Sequence, residues 1–318
     1  MMDELIDSRS VRDVSEALHR ACESMGYSTI WLAVDRAKQP LPVREGLDCH
    51  LTTHVPVALN HPEIDPSWWP GWYPLRLDRA QDSHALRHSV AWAMAECEPQ
   101  ALRAGRGRRV AGWLLMRDAD QPAAVQHWAR SMVCRRSGRS AAVLLRLHDP
   151  AVLWSVWRLL SPIQRMQWMG PVAHWYLLDP TAHLTSLPKD GALGSAAEAG
   201  SGSVLNEAQW HDIELLTPLH LALRACLDRP EVQAGRGISQ QFDLGLQALR
   251  RAQALGLNDA HSLALFAETA LLRHPAFDRH PRIQRLLSQR AADEPLGGVL
   301  SELDEEDWMQ LTGELAAA

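Results

Sequence analysis

The sequence predicts a mixed α/β N-terminal lobe with βαβ units, followed by an all-helical C-terminal lobe. Three observations carry this. Strand-like and helix-like apolar patterns alternate through about residue 185, the arrangement expected of βαβ units around a mostly parallel sheet. Between Gly191 and Ser203, 11 of 13 residues are Gly, Ala or Ser, which have little to bury and read as a linker or long loop. Beyond residue 204 only helical periodicity remains. The expected boundaries are 1–185, 186–204 and 205–318.

The elements follow in chain order. Residues 9–25 place Val11, Val14, Ala17, Leu18, Ala21 and Cys22 on one helical stripe, which Gly26 ends. Thr29–Val34 (TIWLAV) reads as a buried strand, and Leu51–Leu59 is a second apolar stretch. His61–Pro74 (HPEIDPSWWPGWYP) reads as an irregular loop, because Pro and Gly interrupt both periodicities. Ser83–Cys97 reads as a helix and Arg109–Met116 as a strand. Asp120 is placed to N-cap a helix from Gln121 to Cys134, with Pro122 in its first turn. Ala141–Leu147 (AAVLLRL) is apolar enough for a strand buried on both faces. Helices from Pro150 and Pro162 and a strand Val172–Leu178 complete the lobe. In the C-terminal part, Asn206 with Gln209 forms a capping-box pattern opening a helix to about Leu227. Further helices fit Ser239–Leu255, with Gly256 at C′, then Asp259–Arg273, Pro281–Ala291 and Asp304–Leu315.

Composition narrows the function classes. The 318 residues are 46% hydrophobic and 22% charged, the balance of an ordinary globular protein. Acidic residues number 38 against 32 basic ones, a net charge of −6, so a nucleic-acid coat is disfavoured. Thirteen Trp stand against three Phe and three Tyr, which suits cores and protein interfaces alike. The five cysteines (22, 49, 97, 134 and 226) form no Cys-x-x-Cys pair, which fits a reducing compartment. With an acidic, polar N-terminus and no long apolar window, the expected location is the cytoplasm, away from membranes.

Several motifs invite chemistry. Arg146-Leu147-His148-Asp149-Pro150 lies at the end of a strand-like run, where parallel α/β sheets bind ligands, so an enzyme site around Asp118, His148 and Asp149 is one reading. Asp149-Pro150 is equally a helix-start signal, with Asp at N-cap and Pro at N1. His50 and His54, with Cys49 and His61 nearby, lack a carboxylate to complete a metal set, and no metal or cofactor is expected. No Gly-x-Ser-x-Gly elbow or P-loop occurs. The groups Arg103/Arg106/Arg108/Arg109 and Arg130/Arg135/Arg136/Arg139 are either solvated faces or a basic surface for an acidic partner or nucleic acid. Trp68, Trp69, Trp72 and Tyr73 either plug the core edge or form a partner hot spot. The candidate partner-binding residues are therefore Trp68, Trp69, Trp72, Arg135 and Arg136.

The stretch from Trp113 to Trp175 resembles the conserved domain of the type VI secretion effector adaptors, also called Tap or TEC chaperones. The matching residues are Arg146, Asp149, Pro150, Val152, Leu153, Gln164, Gly170, Pro171 and Trp175. Ala254-Leu255-Gly256-Leu257, Phe277-Asp278-Arg279-His280-Pro281 and Glu306-Asp307-Trp308 resemble the helical region that follows it, with a weaker echo at Tyr73-Pro74-Leu75. His148 stands where the family usually has an aromatic, and Ala151 where it often has Arg. The resemblance implies a cytoplasmic chaperone rather than an enzyme. Such a protein binds the N-terminal region of a cognate effector toxin and helps load it onto the VgrG spike, without nucleic acid or membrane.

Overall fold

The computed structural model describes residues 10–35, 57–58, 70–103, 107–136, 138, 142–188, 205–227, 229, 236–291 and 294–317. The chain divides into two compact units, Met1–Trp210 and His211–Ala318.

The first unit is built on a six-stranded sheet. Its strands are β1 (Thr29–Asp35), β2 (Val57–Ala58), β3 (Pro70–Arg76), β4 (Val110–Leu115), β7 (His174–Leu178) and β8 (Leu184–Pro188), in the order β2-β3-β1-β4-β7-β8. A separate two-stranded ribbon pairs β5 (Val133–Arg135) with β6 (Ala142–Leu144). Every described pairing is antiparallel, which corrects the expected mostly parallel sheet. The coarser expectation holds: a mixed α/β lobe precedes a helical one.

Alternation divides the sheet into two faces, since side chains directly opposite each other share a face. One carries Leu32, Tyr73, Trp113 and Tyr176. It packs on α1 (Val11–Ser24) and α2 (Ala80–Glu96) through Val14, Leu18, Cys22, Leu86, Val90 and Trp92. The other face carries Trp31, Trp72, Leu114, Trp175 and Leu187. Over this second face lie α4 (Gln121–Ser131), α5 (Pro150–Leu159) and α6 (Pro162–Met169), bringing the buried Trp128, Trp154, Trp157 and Trp168. The chain's abundance of Trp is thereby largely a packing layer. Trp175 meets Trp72 edge-on at 6.1 Å between ring centres and Trp128 at 4.6 Å, distances at which aromatic pairs attract beyond their buried area.

Local signals explain several ends. Ser10 caps α1 by accepting the Asp13 N–H at 3.1 Å. Ser161 and Gln164 close a capping box on α6. The short α3 (Pro99–Arg103) follows α2. Asp120 does not cap α4: it sits in helical φ/ψ after a 3₁₀ turn, and its carboxylate takes Arg117 Nε at 2.9 Å. Residues 133–135 leave the helix for β5, and the run expected as a doubly buried strand yields only β6, with Val143 40% exposed.

Two strands escape sequence periodicity. β3 contains Pro70 and Pro74, which read as loop. Proline is tolerated at sheet edges, and β2 covers only Gly71 and Trp72 of this strand. β8 begins just before residue 186, where the linker was expected. The segment 191–203, Trp68, Trp69, Cys49, His50, His54, His61, Arg106 and Arg139 lie outside the described residues.

Burial under the first helix layer creates a testable titration. Glu96 is 3% exposed at the end of α2 and accepts the Val110 N–H at 3.1 Å. Desolvation raises its carboxyl above the usual glutamate range, against the opposing pull of that hydrogen bond and of Arg108 and Arg109. The folded state then holds a proton that the unfolded chain releases, so this contribution is present at low pH and lost as pH rises through the folded value. Urea unfolding across that window should show wild-type stability falling with pH more steeply than Glu96→Gln.

The second unit is helical. It contains the second half of α7 (Glu207–Glu214), then α8 (Leu216–Leu227), α9 (Ile238–Ala254), α10 (Ala260–Leu272), α11 (Pro281–Gln289), α12 (Leu296–Leu300) and α13 (Glu305–Ala317). The predicted capping box is present: Gln209 N–H donates to Asn206 Oδ1 at 2.8 Å, and Asn206 N–H to Gln209 Oε1 at 3.0 Å. The helix expected to run on to Leu227 breaks at Leu215. Asp259 caps α10, and Gly256 ends α9 with φ +81. Phe277 joins Phe266 (4.7 Å) to Trp308 (6.1 Å) in the core. Arg251 holds the buried Asp278 at 3.0 Å, and Arg250 holds Asp212. The acidic 302–307 run is used locally: Asp304 accepts the Asp307 N–H at 2.8 Å, Arg282 pairs with Asp307, and Arg273 with Glu305.

Candidate functional site

The site begins at the end of β1. Asp35 is fully buried and lies on the tryptophan-rich face of the sheet. Its Oδ2 lies 3.2 Å from Arg146 Nη2 and 3.5 Å from His148 Nε2. Arg146 is 39% exposed and brings the carboxylate a counter-charge from the rim, while His148 is almost wholly buried. Strand β1 is thus tied to the turn that enters α5. Arg146 belongs to this tie, and Asp35 is the partner that sequence reasoning missed. Its one signal was position: an acid closing an otherwise apolar strand.

Asp149 does not join the cluster. Its backbone is extended and its Oδ1 accepts the Ala151 N–H at 3.0 Å, while Pro150 occupies the first turn. These are the N-cap and N1 roles. Asp118 is exposed and accepts Thr29 Oγ1 at 3.1 Å. An enzyme reading that relies on Asp149 as acid or base therefore meets a carboxylate engaged in capping. Replacing Asp149 with Ala should lower stability by about 1 kcal/mol, with Asn restoring most of it, as read from urea midpoints.

The remaining motif residues are architectural too. Gly170 ends α6 with φ +53, and a Cβ there would sit 2.5 Å from His127 Cδ2. His127 Nε2 lies 2.9 Å from Trp168 O, so the ring is locked against this corner. Pro171 follows it, half-buried, before β7. Trp175 is 2% exposed and donates from Nε1 to Ala111 O at 3.1 Å.

The candidate partner anchors separate. Trp72 is 1% exposed and meets Trp175 edge-on, so it is core and offers no anchor; Tyr73 is buried on the opposite face. Arg135 lies on the exposed surface of the ribbon. Arg136 is engaged, with Nε 2.8 Å from Glu207 Oε2. In the first arginine group, Arg108 is 3% exposed and donates to Leu178 O, and Arg109 lies 4.8 Å over the Trp92 ring.

Recesses on this unit are lined by described residues. A groove of about 590 Å³ runs between α1 and α2, where Arg12 and Glu16 pair at 2.7 Å. A smaller recess of about 120 Å³ lies where α5 and α6 meet β8, lined by Trp154, Trp157, Arg158, Arg165, Thr185 and Leu187. The latter four lining residues belong to no motif singled out in the sequence.

Among the described residues, no cluster of three or more His, Cys, Asp or Glu is placed to hold a metal ion, and no helix is long and apolar enough to cross a membrane. Cys22, Cys97, Cys134 and Cys226 are free thiols, and burial pushes Cys22 up to about 11 and Cys226 up to about 12, away from reactivity at neutral pH.

Fold and site together define a two-unit protein with an antiparallel α/β sandwich and a helical unit, whose conspicuous motif residues hold the architecture. No protein-family model, curated protein or solved structure matches the chain.

Proposed function

We propose that this chain is a cytoplasmic adaptor chaperone that binds a cognate type VI secretion effector and helps load it onto the VgrG spike. It acts by reversible binding, without turnover or cofactor.

One observation carries the reading. The described residues of the adaptor-like motif are each taken up in a structural role. Arg146 ties to Asp35, Asp149 and Pro150 start α5, Gly170 yields to His127, and Trp175 sits in the tryptophan layer. A motif of this kind maintains a scaffold, and a scaffold that presents an exposed arginine such as Arg135 suits protein recognition.

The test is affinity purification of the tagged full chain from its native host, with mass spectrometry of the eluate. The expected result is near-stoichiometric recovery of one toxin-like protein together with a VgrG spike. Recovery of the bare chain from cells that express a neighbouring effector overturns the reading.

A further inference from the structure

The last helix of the second unit is attached unevenly. Of the thirteen residues of α13, Trp308 and Leu311 are buried and most of the others are exposed. Trp308 is the apolar anchor. Its ring centre lies 6.1 Å from that of Phe277, and the Arg273 guanidinium lies 5.5 Å from it. The rest of the attachment is ionic. Glu305 holds Arg273 at 2.5 and 2.8 Å, Asp307 pairs with Arg282, and His280 Nε2 lies 2.9 Å from Glu314 Oε2. Arg229 adds a longer-range attraction to Glu305. His280 Nδ1 accepts the Arg282 N–H at 3.2 Å, so the proton of the neutral ring sits on Nε2 and is donated to Glu314.

The charges run in one direction. Residues 305–317 contain Glu305, Glu306, Asp307 and Glu314 but no Lys, Arg or His, so every cation that meets them lies outside the helix. These ties also differ in kind from the other arginine pairs of the unit. Arg250 and Arg251 hold carboxylates that are buried, Asp212 and Asp278, whereas the Glu305 and Glu314 side chains are more than half exposed. Exposed pairs are weak and screened by salt, buried ones much less so. A helix with two buried side chains and water-exposed ties belongs to the low end of local stability, where opening precedes global unfolding.

We infer that α13 is an exchangeable strap. It covers a seat made by Phe277 with Arg273, His280 and Arg282 around it, and an acidic partner helix with one aromatic anchor takes that seat when the strap opens. The partner's chemistry is that of the present occupant: carboxylates in the first turn, an aromatic ring directly after them and a further carboxylate towards the other end. This is recognition of a helix in a groove, with the chain supplying its own competitor. While the strap is closed, the apparent affinity for a partner is reduced by the fraction of chains that are open. The inference concerns the second unit alone and does not depend on the adaptor reading.

The test uses the full chain and reads amide hydrogen exchange by mass spectrometry. Raising sodium chloride from about 0.1 M to about 1 M shortens the screening length from ~10 Å to ~3 Å. The α13 amides should then exchange several-fold faster, while those of α9 and α10 keep their rates. Glu305→Gln/Asp307→Asn/Glu314→Gln keeps the shapes and removes the charges, and should show the fast α13 exchange already at low salt. A labelled peptide of residues 303–317 serves as the partner probe. It should bind this variant about tenfold or more tightly than the wild-type chain, because the seat is open for more of the time. The same peptide with Trp308→Ala should bind neither. Exchange of α13 that is indifferent to both salt and the variant overturns the inference. So does equal affinity of the probe for the two chains, absence of binding to the variant, or undiminished binding of the Trp308→Ala peptide. Loss of α9 and α10 protection in the variant overturns it too, because α13 would then belong to the cooperative core.

Discussion

Gly112→Ala should prevent the N-terminal unit from folding stably. Gly112 has φ +133, a backbone region that L residues rarely adopt. A Cβ there would lie 2.2 Å from Tyr176 O, 2.6 Å from Trp175 Nε1 and 3.0 Å from its Cδ1. The nearest of these is a backbone oxygen of the neighbouring strand, so no side-chain rotation relieves the clash. Gly112 also lies beside the register shift between Ala33 and Val34, where β4 carries one residue more than β1. Room for a methyl would require parting β4 from β7 and withdrawing the Trp175 indole from Ala111 O. That opens the tryptophan layer at its centre.

The expected loss is about 4 kcal/mol or more, in the range reserved for strain combined with core disruption. This is a large fraction of the ~5–15 kcal/mol that holds a domain together. Gly256→Ala provides the control. Gly256 also has positive φ (+81), but nothing lies within 4 Å of its would-be Cβ. It should lose only the conformational term, about 1 kcal/mol. Near-UV circular dichroism, which reads the packed indoles, should collapse for Gly112→Ala and persist for Gly256→Ala. Comparable urea midpoints for the two variants would show that Trp175 does not require the glycine.

What the sequence made legible was local. The Asp149 cap, the Asn206–Gln209 box and the Gly256 terminator depend on residues within a few positions of one another, and they stand where expected, whereas Asp120 does not cap. Strand direction was not legible. Alternating strand and helix patterns give the order of elements, but antiparallel pairing of β1 with both β3 and β4 is decided by contacts far apart in the chain. β3 was hidden because Pro70 and Pro74 mimic loop punctuation while the core demands Trp72 and Leu75. β6 was overstated because a continuous apolar run does not reveal whether anything covers both its faces; here Val143 stays 40% exposed. The candidate site followed the same division. Asp149 and Pro150 could be assigned from their neighbours, whereas the Asp35–Arg146 contact spans 111 positions and leaves no periodic trace. The recess at β8 combines α5 and α6 with a strand placed where a linker was expected, so none of its chemistry was visible.

Removal of Asp35 is the second large effect. A fully buried carboxylate is tolerated only when opposite charge or hydrogen bonds compensate its desolvation. Asp35 has both Arg146 and His148 on the same oxygen. Asp35→Ala leaves a nearly buried imidazole and the inner part of a guanidinium facing an apolar void. Taking one partner from a buried pair is worth about 3–5 kcal/mol. The lower end applies here, because Arg146 is 39% exposed and its charge can turn to water. Asp35→Asn keeps the shape and one acceptor, and should lose less. The decisive measurement is a double-mutant cycle with His148→Phe, which places an aromatic at a position where His148 is itself buried. If the pair compensates as the geometry requires, the double variant loses less than the sum of the singles, with a coupling of about 1 kcal/mol or more. Strict additivity would mean that His148 does not compensate the Asp35 carboxylate. In that case His148 holds its place by packing, and the corner that starts α5 is fixed from the rim.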